Sequence, residues 1–128
     1  MEDKLIEKIR LENGLTLELY DLSRPVAGDR WLVSFVARID VAVKPEYLEN
    51  QGTEDFSLNE IKSAVGDRAT YQYKKERNFI DETEKDEVFK GLKDRFLSIS
   101  LGYLSNPDFP RKLILRQYRQ ALRLPYKS

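Results

Sequence analysis

The chain has 128 residues, 41% of them hydrophobic, with 22 basic side chains balanced by 22 acidic ones, which is enough apolar material for one domain over 1–128 with its own core. It contains neither cysteine nor histidine, so disulfides, thiolate metal sites and the usual near-neutral acid–base group are excluded. Any catalysis would rest on carboxylates, lysine, tyrosine or hydroxyls, and the composition leans away from an enzyme.

The opening residues, Met1 to Lys8, mix both charges and lack the apolar run of a signal peptide. No window approaches the ~18 apolar residues that span a bilayer, so the expectation is a cytoplasmic protein without a membrane span. Residues 5–22 then read as a β-hairpin. A two-residue Asn13–Gly14 loop would set Leu11 opposite Thr16 and mix the faces. A three-residue loop, Glu12–Asn13–Gly14, pairs Ile9 with Leu17 and Lys8 with Glu18, keeps apolar with apolar, and suits Gly14 to a left-handed bulge. Ser23 to Asp29, with Pro25 and Gly28, reads as the turn that follows.

The longest strand-like stretch is Arg30 to Val43. Its odd positions, Trp31, Val33, Phe35, Ala37, Ile39, Val41 and Val43, make an apolar stripe on one face, whereas the even positions include Ser34, Arg38 and Asp40. Lys44–Pro45 stops it. Residues 46–56 are acidic and read as a surface loop. Ser57 and Glu60 then form a capping box, with Phe56 and Ile61 as its staple, for a short helix over 58–65 that Gly66 ends. Alternation and β-propensity place a fourth strand over 69–80, an edge strand because its later half is charged.

Acidic residues at 81–87 start a long helix whose apolar stripe runs through Val88/Phe89, Leu92, Phe96, Ile99/Ser100 and Tyr103. Ser105 to Asp108 ends it. Pro110 then sits in the first turn of a basic C-terminal helix over 109–128, whose short connection implies two antiparallel helices packed together. The fold class expected is therefore α+β in two layers: an antiparallel meander plus a fourth strand, with the short helix and a C-terminal helical hairpin on one face.

Charge is unevenly spread. Beyond Phe109 there are Arg111, Lys112, Arg116, Arg119, Arg123 and Lys127 and no acidic residue, which leaves the rest of the chain with a net charge of −6. Lys112, Arg116, Arg119 and Arg123 align on one helical face that suits an anion, a phosphate backbone or an anionic membrane surface. Otherwise that face is simply the solvated side of the helix, or lies against the acidic stretches 46–55 or 81–87 of the same chain. Tyr71 and Tyr73 alternate on a strand among cations, as a stacking platform for nucleic-acid bases would, or as half-buried sheet residues with wet hydroxyls.

Among carboxylates, Asp40 beside Arg38 on the central strand, with Asp21 and Asp29 near the turn, is a candidate for acid–base work if buried, and an ion-paired surface aspartate otherwise. Glu46, Glu49, Glu54 and Asp55 match no cation-binding loop, so no metal is expected. The Ser23–Arg30 loop, with its arginine, glycine and aspartate, is a further anion candidate. No motif implies a cofactor. The function these residues favour is a non-enzymatic binding or interaction domain, pairing with another protein or with itself as a dimer. Two alternatives follow from the same residues: a nucleic-acid binder using the basic helix, and a small ligand-binding or enzymatic domain with a sheet–helix pocket holding Asp40, Tyr71 or Tyr73.

Overall fold

In the computed structural model, which describes residues 4–48 and 57–123, the elements are β1 (Leu5–Arg10), β2 (Thr16–Asp21), β3 (Arg24–Ala27), β4 (Arg30–Ala42), α1 (Pro45–Leu48), α2 (Leu58–Val65), β5 (Arg68–Asp81), α3 (Lys85–Leu104) and α4 (Phe109–Arg123). This is an α+β architecture, a five-stranded antiparallel sheet with helices packed against one face.

Face matching sets the first hairpin. Ile9 lies opposite Leu17 and Lys8 opposite Glu18. The Leu11 N–H donates to the Leu15 carbonyl (2.8 Å), closing the three-residue loop, and Gly14 takes the left-handed conformation at φ 89° that this loop requires.

The segment at 23–29 departs from its reading as a turn. The strand direction resumes after a break at Leu22–Ser23, and β3 pairs Arg24 with Leu32 and Pro25 with Trp31. Because β5 pairs with β4 along 30–42, β2 and β3 must share the other edge of β4. The break does not orphan the partner strand: the Ser23 hydroxyl accepts from the Ser34 N–H (3.0 Å), and the Leu22 N–H donates to the Ser34 carbonyl (3.0 Å). Pro25 is tolerated because a short peripheral strand does not need its missing donor. The true turn is Gly28–Asp29, with Gly28 at φ 54°.

On the covered face, Val33, Phe35, Ala37, Ile39 and Val41 are all essentially without exposure, together with Leu17 and Leu19 from β2. Burying such a side chain stabilises by about 1.5–3 kcal/mol. Phe35 is central: its ring lies 5.8 Å from Phe89 and 5.5 Å from Phe96 of α3, edge-on or tilted. The short helix α2 has the expected capping box between Ser57 and Glu60, and Ile61 is buried beneath it. Phe56, the other half of the staple, lies outside the described residues. So do 49–56 of the acidic stretch, whose described beginning is the helical turn α1 rather than a loop. Residues 124–128 of the expected basic helix are likewise outside them.

The two C-terminal helices do not pack along each other as their short connection implied, because each finds its apolar cover elsewhere. α3 lies over β4 and β5, whereas the chief helical neighbour of α4 is α2. Their corner is fixed from outside the pair: the side-chain amide of Asn13, in the β1–β2 loop, donates to the carbonyls of Leu104 (2.8 Å) and Asn106 (2.9 Å). The Leu104 carbonyl, at the end of α3, lacks an intrahelical partner, whereas that of Asn106, in the corner, also accepts from the Phe109 N–H (3.0 Å).

No helix among the described residues lies on the other face of the sheet. There Tyr20 donates to Glu18 Oε1 (2.7 Å), Ser34 Oγ to Glu76 Oε2 (2.9 Å), and Thr70 Oγ1 to Asp40 Oδ1 (2.8 Å). Ser34 and Val36 are buried there beneath cross-strand neighbours. The hydrogen bond to Glu18 and then burial push the Tyr20 hydroxyl above its ordinary pKa.

Candidate functional site

α3 and α4 both border β5 but scarcely touch each other beyond the Tyr103–Phe109 ring contact, so they stand as the two arms of a V over this strand. Alternation along β5 sends Tyr71 and Tyr73, opposite Ile39 and Ala37, toward the helical layer. The Tyr73 ring packs on Phe96 (centroids 4.7 Å apart), and Tyr71 meets Phe109 edge-on at 5.8 Å. Tyr103, near the end of α3, also meets Phe109, at 5.4 Å. The Tyr71 hydroxyl is pushed above its ordinary pKa by burial first, then by the neighbouring Tyr103 and Tyr73 hydroxyls, with Arg116 opposing. Three phenols and one guanidinium thus share a neighbourhood, drawn from β5, α3 and α4.

The two flanks of α3 differ. Toward β1, Lys93 pairs with Glu7 (3.6 Å) and Leu104 is fully buried. On the flank turned to β5, Ile99 is 70% exposed and Tyr103 48% exposed, although both belong to the helix's apolar stripe. Arg95 stands one turn before Ile99 and Tyr103 one turn after it, on the same side.

On α4, Leu113, Ile114 and Tyr118 are buried, while Lys112, Arg116 and Arg119 lie on the exposed side. None of these three has an ion-pair partner among the described residues, and Arg123 is the last residue of α4. The structure therefore brings Arg116 beside Tyr71. The two tyrosines are half-buried, with ring surface committed to Phe96 and Phe109.

The outer edge of β5 borders the V, and among the described residues this strand pairs only with β4. The Val43 N–H donates to the Asp67 carbonyl (2.9 Å), so along the regular register the odd residues of β5 turn their main-chain groups inward and the even ones outward. Two outward carbonyls are occupied by side chains. Gln117 Nε2 donates to that of Thr70 (2.7 Å), and Arg77 Nη1 to that of Glu76 (3.2 Å). Between them, the main-chain groups of Gln72 and Lys74 face outward with no partner among the described residues.

No protein-family model, curated protein or solved structure matches the chain.

The carboxylate candidates do not converge. Asp40 is exposed on the uncovered face, bordering a shallow hollow with Glu18 and Arg68, whereas Tyr71 and Tyr73 project from the opposite face of the sheet. One pocket does not hold all three. Asp21 accepts from the Ser23 N–H (3.0 Å), Asp29 approaches Arg30 (3.9 Å), and Glu46 approaches Lys44 (3.7 Å). Glu49, Glu54 and Asp55 lie outside the described residues. Among the described residues no cluster of acidic side chains is placed to hold a metal ion, and no helix is long and apolar enough to cross a membrane. The residues of the Ser23–Arg30 anion candidate are spread over β3 and the Gly28–Asp29 turn, with Arg24 exposed and Arg30 paired to Asp81 (3.5 Å).

Periodicity places Ile99 and Tyr103 among the core residues, so the sequence carries no sign of their exposure. Phe79 is a second unexpected feature. It opposes Leu32 together with Asn78 in a bulge, stands at φ 60°, and is 61% exposed beneath the Arg30 guanidinium (5.6 Å). A bulky residue held there costs about 1–2 kcal/mol. No residue pattern announces it.

Proposed function

We propose that this protein is a non-enzymatic interaction domain that receives an extended segment of a partner protein in the V between α3 and α4. The observation that carries this reading is the exposure of Ile99 and Tyr103 within an apolar stripe whose other members are covered. An isoleucine beside aromatic rings, with Arg116 at the margin, has the composition of an interface centre and its rim. A partner would complete the layer that the diverging helices leave open.

A foreign segment is favoured over a second copy. Two β5 edges brought together would gather Lys74, Lys75 and Arg77 of both copies along one seam, with Glu76 the one acidic residue among them, and like charges close to one another across a strand pair are destabilising. The cytoplasm is the setting we assign, on the cysteine-free composition alone.

Panning short random peptides displayed on phage against the immobilised full chain tests the reading. The expected result is enrichment of peptides whose affinity falls at least about tenfold on Ile99→Glu, as replacement at an interface centre does. Absence of enrichment over a control domain, or enrichment indifferent to Ile99→Glu, would remove the V as the docking surface.

A further inference from the structure

The outer edge of β5 and the charges around it narrow the partner's chemistry. We infer that the docked segment is acidic and extended, and that it adds to the sheet as a strand along Gln72–Lys74. This rests on the interaction-domain reading and specifies how its site is filled.

The hydrogen-bonding argument comes first. Gln117 and Arg77 occupy the outward carbonyls of Thr70 and Glu76, and between them the N–H and C=O groups of Gln72 and Lys74 are directed outward. A short strand entering this window would satisfy those groups, and its alternate side chains would fall toward Ile99 and Tyr103 in the V. The two occupied carbonyls hinder a neighbouring strand from running on in either direction, so the window suits a short peptide rather than an open-ended sheet.

Charge supplies the second argument. Lys75 and Arg77 project from β5 on the helical side, Arg95 stands on the near flank of α3, and Arg116 lies beside Tyr71. None of these four has an ion-pair partner among the described residues, although Lys74, Lys85, Lys90 and Lys93 each do. The carboxylate of Glu76, the acidic residue on this stretch of β5, is already engaged by Ser34 and Lys74. Carboxylates on an incoming strand would meet unpaired cations on the side of the V, which favours an acidic segment and steers its approach.

The orientation of the edge gives a selective test. Proline at position 74 removes an outward N–H and leaves the β4 ladder intact. The probes are the enriched display peptides, an acidic peptide of scrambled sequence and a short oligouridylate, each titrated against the full chain. Supporting results are enriched peptides rich in Asp and Glu; affinity that falls at least about tenfold on Lys74→Pro but little on Lys74→Ala; and further weakening with Arg116→Glu or added salt. Bound peptide would also slow hydrogen exchange at the Gln72 and Lys74 amides of the wild-type protein. That measurement decides the mode by itself if the proline variant does not fold. Peptides that need Ile99 but are indifferent to Lys74→Pro, with no added protection at Gln72 and Lys74, overturn strand addition and leave the interaction-domain reading standing. Enrichment of neutral or basic peptides overturns the acidic class. Oligouridylate binding that depends on Arg116 but not on Lys74→Pro, without peptide binding, overturns both in favour of a nucleic-acid binder.

Discussion

Leu104 and Ile99 sit five residues apart on α3, and one is wholly buried while the other is 70% exposed. Both are large aliphatic residues within one amphipathic helix. The difference is what stands opposite. On the β1 flank, the β1–β2 loop reaches the helix end through Asn13, and Glu7 meets Lys93. On the β5 flank, α4 has swung toward α2, and nothing among the described residues closes over Ile99. A helical stripe shows which residues would gain from cover; the packing of neighbouring elements decides which receive it.

Four experiments probe this contrast, the largest expected effect first. Leu104→Ala should lower unfolding free energy by about 2–5 kcal/mol, as truncations of fully buried leucines do, read by urea denaturation. A loss near zero would mean that the β1 flank is as open as the other. Asn13→Ala should cost about 1–2 kcal/mol, because it leaves the Leu104 carbonyl at the end of α3 and the Leu15 N–H without the partners they now have. Faster hydrogen exchange in the last turn of α3 would localise that loss.

The third concerns pH. Burial, with help from Tyr103 and Tyr73, raises the folded-state pKa of Tyr71, so the folded state holds its proton more tightly than the unfolded chain does. The associated stability is fully present below the ordinary tyrosine pKa and lost as pH rises through the raised one. Melting temperature followed from about pH 9 to 12 should therefore fall less steeply in Tyr71→Phe than in the wild type. An identical slope would show the hydroxyl to be freely solvated. Smallest of all, Ile99→Glu should change stability by no more than about 0.5 kcal/mol in the isolated domain, since the side chain touches solvent already. A loss several times larger would return Ile99 to the core and close the proposed docking surface.

Legibility from sequence varied with the range of the interaction involved. The hairpin register at Glu12–Gly14 could be argued beforehand because a slip by one residue would have put leucines opposite polar partners. The Ser57–Glu60 box could be read because both partners lie within one turn. By contrast, the β2–β3 break was hidden by Pro25 and Gly28, whose breaker chemistry is genuine but acts here within an edge strand and at its tip. Of the candidate site, Tyr71, Tyr73 and Arg116 could be named separately for their chemistry. Their assembly depended on where α3 and α4 lie over β5, and on a corner between them that Asn13 holds from about ninety residues away in sequence.

The amino-acid order alone determined the alternating strand over 30–42, the face it buries and the capping box of α2, because these follow from backbone period and neighbouring side chains. Only the tertiary structure decided that α4 would lean on α2, that Ile99 and Tyr103 would stay uncovered, and that Gln72 and Lys74 would face outward beside unpaired cations. Those outcomes depend on how separate apolar faces share a limited area of sheet, a competition among distant segments that local periodicity does not encode.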